Sequence, residues 1–238
     1  MPRAKANVDG PAVFRYREPV SIGAQLHRHL RDAIIRADFK PGQALSETEL
    51  SKLYAVSRQP VREAFIKLAE ERLVEVLPQR GTFVVKISIE DVMDARFVRE
   101  VIEVAIVEEV AARATPELVA ELRDVLDQQA AVPPHDIATL MALDEAFHKK
   151  LASAVQRDHA WRIIESVKAQ MDRVRYLSID DATPVTVIVD QHRQVVDAIE
   201  AGDPVAAASA MRAHLREILT SLPQIAQRHP DLFQPTEG

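Results

Sequence analysis

The sequence predicts a mainly α-helical protein in two parts: a small N-terminal domain of short helices with a two-stranded hairpin, then an all-α bundle. Three observations carry this. Residues 41–85 set out a short helix, a turn, a second helix and two strand-like runs in close succession. From Ser88 onward no strand alternation persists and helical periodicity takes over. Composition leans the same way, with six glycines and 5% aromatic residues among long stretches of Ala, Leu, Val, Ile, Glu and Arg.

At 238 residues and 47% hydrophobic content, the chain can bury a sizeable core and form one domain of ordinary size plus a smaller one. The absence of cysteine excludes disulfides and thiolate metal sites. No apolar run reaches the roughly eighteen residues of a membrane span, and the first twenty residues lack a signal core. Residues 1–20 read as a flexible arm, and the chain as cytoplasmic with no membrane partner. The net charge of −6 hides an asymmetry: residues 1–88 hold 15 Lys+Arg against 10 Asp+Glu, whereas residues 89–238 hold 15 against 26. A basic front on an acidic back is expected where only one part meets phosphate.

The first amphipathic helix is expected over 21–37, with Leu26, Leu30, Ile34 and Ile35 on its buried stripe. Pro41-Gly42 ends the connection. Ser46 with Glu49 three residues on reads as a capping box opening a short helix through Leu53. Ala55-Val56 makes the turn, and Ser57 caps the next helix, where Val61, Ala64, Phe65 and Leu68 fall on one inward arc. The runs 73–77 and 82–86 form a wing around a Pro-Gln-Arg-Gly turn, with Gly81 supplying an unusual backbone angle at the tip. Together these make a winged helix-turn-helix domain over 21–87. Arg58 and Arg62 lie four apart and share a face, with Gln59 near the helix start. An isolated arginine pair is usually a solvated face. This pair follows a capped helix and precedes a wing, the place where a second helix reads the major groove of duplex DNA. An arginine fork can hold guanine O6 and N7 together, and Arg80 can reach a phosphate or the minor groove.

The stretch PGQALSETELSKLYAVSRQPVREAFIKLAEERLVEVLPQRGTFV closely resembles the winged-helix domain of GntR-family bacterial transcription regulators. Carried over position by position, the resemblance implies DNA contacts at Ser57, Arg58, Gln59, Arg62, Arg80 and Gly81. Some members place an arginine where this chain has Thr48, so that contact does not transfer.

Helical segments are expected near 89–113, 116–131, 135–155, 159–178, 184–201 and 204–222, forming a bundle over 88–222 with a tail over 223–238. Thr115-Pro116 and Asp203-Pro204 read as N-cap plus first-turn proline. The inward stripes carry polar residues: Asp144 and His148 among Leu140, Phe147, Leu151 and Val155; His192 among Ile188, Val195 and Ile199; His214 among Met211, Leu215 and Ile218. Any one histidine is more often a satisfied core residue than a ligand. One carboxylate and three imidazoles on inward stripes point instead to a divalent ion, because a buried carboxylate is costly unless paired or metal-bound. That donor set suits zinc, nickel or manganese. Arg99 also lies on an inward stripe, where its partner is either Asp144 or Glu103 in a salt bridge or a ligand carboxylate held bidentately. Arg173 and Arg175 are candidates to join it, and helical phase does not choose between them.

The series REVIE, DEAFH, QHRQVVDAIEAGD and AMRAHL is similar to the helical FCD-type effector domain of FadR-like GntR regulators. The resemblance implies metal ligands at Asp144, His148, His192 and His214, and a small carboxylate effector held by the ion with Arg99 near its other end. The tail LPQIAQRHPDLF resembles members that respond to sugar acids. The expected protein is a ligand-responsive repressor, a homodimer on operator DNA and not an enzyme. Two alternatives stand beside it: a metal that is structural or is itself the signal, and a metal-dependent hydrolase. The hydrolase lacks an obvious acid or base, since Glu145 follows a ligand directly and should point away.

Overall fold

The computed structural model describes residues 20–133 and 135–235; the arm expected over 1–20 lies, apart from Val20, outside them. The chain divides into two compact units after Lys86. No described helix is long and apolar enough to cross a membrane.

In the first unit, α1 (Ile22–Ile35) begins at Ser21, whose Oγ accepts from the Ala24 amide at 3.2 Å. Its stripe Leu26, Leu30, Ala33, Ile34 and Ile35 is buried, packed against α3 (Arg58–Glu70). Between them, α2 (Glu47–Leu53) is capped by Ser46 Oγ, which accepts from the Glu49 amide at 3.3 Å. Val61, Ala64, Phe65 and Leu68 of α3 face inward. Ser57 differs from expectation: it holds the N-cap position with extended backbone, but its hydroxyl makes no capping bond. The wing is β2 (Val74–Leu77) antiparallel to β3 (Gly81–Val84), with Val74 opposite Val84 and Leu77 opposite Gly81. Gly81 sits at φ 111° and Gln79 at φ 61°, so two residues of the tip turn carry left-handed backbone. A two-residue strand, β1 (Ala44–Leu45), pairs with β3 and gives the order β1-β3-β2. Two residues are too few for alternation to register, so periodicity misses β1.

The second unit centres on α4 (Ile89–Ala111), which packs closely against α10 (Pro204–Arg216). Around them lie α5 (Pro116–Ala130), α6 (Ile137–Ala154), α7 (Asp158–Val167), α8 (Ala169–Asp181), α9 (Val185–Glu200) and α11 (Ile218–Arg228). Side-chain caps mark the starts: Ser88 for α4, Thr115 for α5 and Asp136 for α6. Asp203 accepts from both Val205 and Ala206 amides at 3.0 Å, so both Xaa-Pro starts hold. The core joins Val107, Leu122, Phe147, Leu151, Ile164, Val195, Ile199 and Met211.

Two expected helices are each divided by one residue. The segment 159–178 breaks at Lys168, whose ψ of −5° bends the chain. Its ammonium turns inward to Asp172 at 2.6 Å and Glu145 at 2.9 Å. The segment 204–222 breaks at Glu217, where the Glu217 amide bonds back to His214 O, three residues earlier. The helix then resumes past 222 to Arg228, with Pro223 inside it. A short 3-10 turn (Pro230–Leu232) follows, and Phe233 buries its ring beside Ile87.

Leu30 is fully buried in the α1–α3 contact, while Leu53 is 48% exposed. Leu30→Ala should destabilise the winged unit by about 2–5 kcal/mol through the cavity it leaves. Leu53→Ala should stay within about 0.5 kcal/mol. Chemical denaturation of the two variants checks the difference.

Candidate metal centre and nucleic-acid face

Asp144 and His148 project from the buried side of α6, His192 from α9 and His214 from α10, at 2%, 2%, 0% and 7% exposure. One donor atom from each lies within 4.8 Å of all the others. The His214 Nε2 atom is 3.2 Å from His148 Nε2 and 3.2 Å from His192 Nε2. Asp144 Oδ1 is 3.5 Å from His192 Nε2, and its Oδ2 is 4.0 Å from His148 Nε2. All four ligand atoms therefore face one small volume.

What holds the rings decides what that volume wants. Each Nδ1 faces an acceptor: Glu103 for His148, Gln129 Oε1 at 2.9 Å for His192, and Gln191 Oε1 at 3.0 Å for His214. Gln191 cannot flip freely, because its amide nitrogen donates to Glu217 Oε2 at 3.1 Å. Burial works against the Glu103 carboxylate, but Arg99 and His148 outweigh it and hold its pKa at about 2. It is ionised and can only accept. With each acceptor taking its proton from Nδ1, the three Nε2 lone pairs converge beside a carboxylate. Protonating His192 or His214 does not relieve this. Burial lowers the His192 pKa to about 3 and drives His214 well below its usual value. Burial also opposes the Asp144 charge, yet the Arg175 guanidinium beside it holds its carboxyl well below the usual range. A cation in the centre satisfies every donor atom, and imidazoles oriented through their far nitrogens are what metal sites use. His₃Asp fits Zn²⁺, Ni²⁺ or Mn²⁺.

The arginines divide. Arg99 pairs with Glu103 through Nε at 2.5 Å, whereas Asp144 pairs with Arg175 at 2.6 Å. Arg99 and Arg175 line one cleft with His214, Gln191, Ser178, Thr183, Ser221 and several aliphatic side chains. Arg173 is buried nearby and donates to Gln170 Oε1 at 3.3 Å, but it does not line that cleft. Burial lowers its pKa to about 10. Glu145 turns to Lys168, as its position after a ligand requires.

In the winged unit Ser57, Arg58, Gln59, Arg62, Arg80 and Gly81 are all exposed, and Thr48 is half-buried. Two arrangements there go beyond the sequence reading. Glu47 grips Arg62 bidentately, both contacts at 3.0 Å, and Gln59 donates to Glu63 Oε1 at 3.1 Å. Glu47 lies fifteen positions from Arg62, beyond any helical period. Gln129 and Gln191 were also missed; their one signal is an amide adjoining inward apolar positions, too common to single out.

Fold and site together define a DNA-binding regulator whose second unit carries a buried Asp/His cluster that could hold a metal ion. Comparison with known proteins agrees. Residues 22–84 match the bacterial regulatory proteins of the gntR family, and residues 94–217 match the FCD domain. The chain is 40% identical over 213 residues to the HTH-type transcriptional repressor RspR of Escherichia coli strain K12, covering 89% of this chain and 93% of that protein. A GntR transcriptional regulator from Rhodococcus sp. RHA1 is similar in structure, with TM-score 0.70, 31% identity, and 87% and 99% of the two chains covered. E. coli McbR/YncC shares the fold at TM-score 0.74 and 19% identity, over 89% of this chain and all of that one. The protein belongs to the GntR family of bacterial transcription regulators, with an FCD effector domain.

Gln191→Leu removes the acceptor that orients His214 and should weaken metal affinity about 10–100-fold. Competition against a chelator of known affinity measures this; unchanged affinity would show that Gln191 does not set the ring.

Proposed function

We propose that this regulator is a metal-dependent repressor that answers to a small carboxylate, such as a sugar acid. The observation that carries the reading is the convergence of three imidazole nitrogens and one carboxylate oxygen in a buried centre. Asp144, His148, His192 and His214 hold the divalent ion, and zinc suits that donor set, with nickel and manganese as alternatives. A bound ion supplies positive charge and open coordination positions for an anionic ligand. Arg175 and Arg99 extend that positive lining along the cleft. Of the two candidates Arg173 and Arg175, the effector role is assigned to Arg175, which lines the cleft.

The output is operator DNA, met by Arg58 and Gln59 at the base edges, with Ser57, Arg62, Arg80 and Gly81 around the phosphates. A homodimer presents two winged units to a two-fold site, working in the cytoplasm where the operator lies. Effector relieves repression only by binding one arrangement of the protein more tightly than the other. The name of RspR supports repression, and no residue here contradicts it.

Purified protein should carry roughly one divalent ion per chain, as a site of this type binds. His148→Ala combined with His192→Ala should remove it, measured by elemental analysis; full occupancy in the double variant would sink the ligand assignment. Arg58→Ala should cost about 1–3 kcal/mol in operator discrimination at fixed salt. Binding titrations against operator and scrambled duplex read this, and an unchanged ratio would remove Arg58 from base recognition.

A further inference from the structure

The hydrogen bonds that orient His214 do not stop at Gln191. The Gln191 side chain, held to His214 Nδ1 by its oxygen, donates from its nitrogen to Glu217. Glu217 is the single residue that separates α10 from α11. The start of α11 is therefore tied to a metal-facing ring by one side chain. Along α11, Ile218 and Ser221 line the cleft beside Arg175. Ile218, Leu222 and Ile225 also pack into a second cluster with Val92 and Met171.

Beyond α11 the chain turns through Pro230–Leu232 and doubles back. Phe233, 4% exposed, plugs the same cluster. The backbone on either side of it clasps one residue: the Ile87 amide donates to Leu232 O at 2.8 Å, and the Gln234 amide donates to Ile87 O at 2.9 Å. Ile87 is the first residue after the winged unit and precedes Ser88, the cap of α4. Chain ends fray unless docked, and this one is docked on the segment that leads into the DNA-binding unit.

We propose that residues 229–234 are a strap that reports occupancy of the metal cleft to the backbone at Ile87. This rests on the metal reading above. With an ion bound, His214 is fixed, Gln191 holds Glu217, α11 stays seated and the strap closes on Ile87. Without it, the facing Nε2 lone pairs push the His214 ring away, Glu217 loses its donor and the strap loosens. Two backbone hydrogen bonds and the Phe233 ring tie the strap to Ile87 and its cluster, contacts that the seating of α11 can govern.

The test is amide hydrogen exchange by mass spectrometry on the full chain, stripped with chelator and then given Zn²⁺ alone. A ligand at about 100 times its Kd suppresses openings incompatible with binding by up to about 100-fold. Exchange in peptides covering 85–92 and 218–234 should slow by at least about tenfold within that ceiling. Phe233→Ala should keep its metal by elemental analysis yet lose the zinc response at Ile87, and Phe233→Leu should restore it. Glu217→Ala, which breaks the earlier link, should lose the response in both peptides while still binding zinc. The strap is overturned if Ile87 responds in Phe233→Ala or Glu217→Ala as in the wild type. It is equally overturned if wild-type protein takes up zinc with Ile87 unchanged. Wild-type protein that takes up no zinc would overturn the metal reading and the strap together.

Discussion

Three imidazole nitrogens and a carboxylate packed into a space under 5 Å across repel one another unless a positive charge lies among them. The bundle is organised around that constraint. α6, α9 and α10 each commit a buried position to a donor, while α4 and α5 commit Glu103 and Gln129 to fixing the rings. Positions that would otherwise carry Leu or Val are given to polar groups. The burial that makes the site costly also keeps His192 and His214 neutral, so their lone pairs stay available at neutral pH. The helices hold the donors together, and a cation bound among them would remove their repulsion.

The cleft beside this centre has a different character. Arg99 and Arg175 border it, but each already faces a carboxylate, Glu103 and Asp144 respectively. An incoming anion meets guanidiniums held in place and partly neutralised. Such preorganisation lowers the ordering cost of binding, and it limits how much charge the ligand can gain from the arginines alone.

Much of this was legible in the chain. Asp144 and His148 sit four apart on one stripe, and His192 and His214 fall in phase with apolar neighbours, because burial writes a period into sequence. Arg58 and Arg62 were legible for the same reason. What escaped was set by groups far apart in sequence or by single residues. Lys168 and Glu217 each end a helix through local backbone geometry that leaves the apolar period untouched. β1 is too short to alternate. Arg173 and Arg175 differ by two positions on α8, and only the neighbouring helices decide which one reaches the cleft. Gln129 and Gln191 act through distance and direction, which have no one-dimensional signature. Pro223 sits inside α11, so helix runs on into the residues expected as a tail over 223–238.

Glu47 gives the winged unit a property beyond its shape. It is an anion already gripping, at two points, the fork of an arginine proposed to meet phosphate. Exposed pairs of this kind are worth at most about 1 kcal/mol, so DNA can displace it. Displacement leaves a carboxylate beside the duplex, a small penalty charged against every sequence alike. Only a site that returns that energy through base contacts recovers it. If Arg62 meets DNA as proposed, the pair would weaken binding to every sequence by the same small amount and leave the choice among sequences to the base contacts.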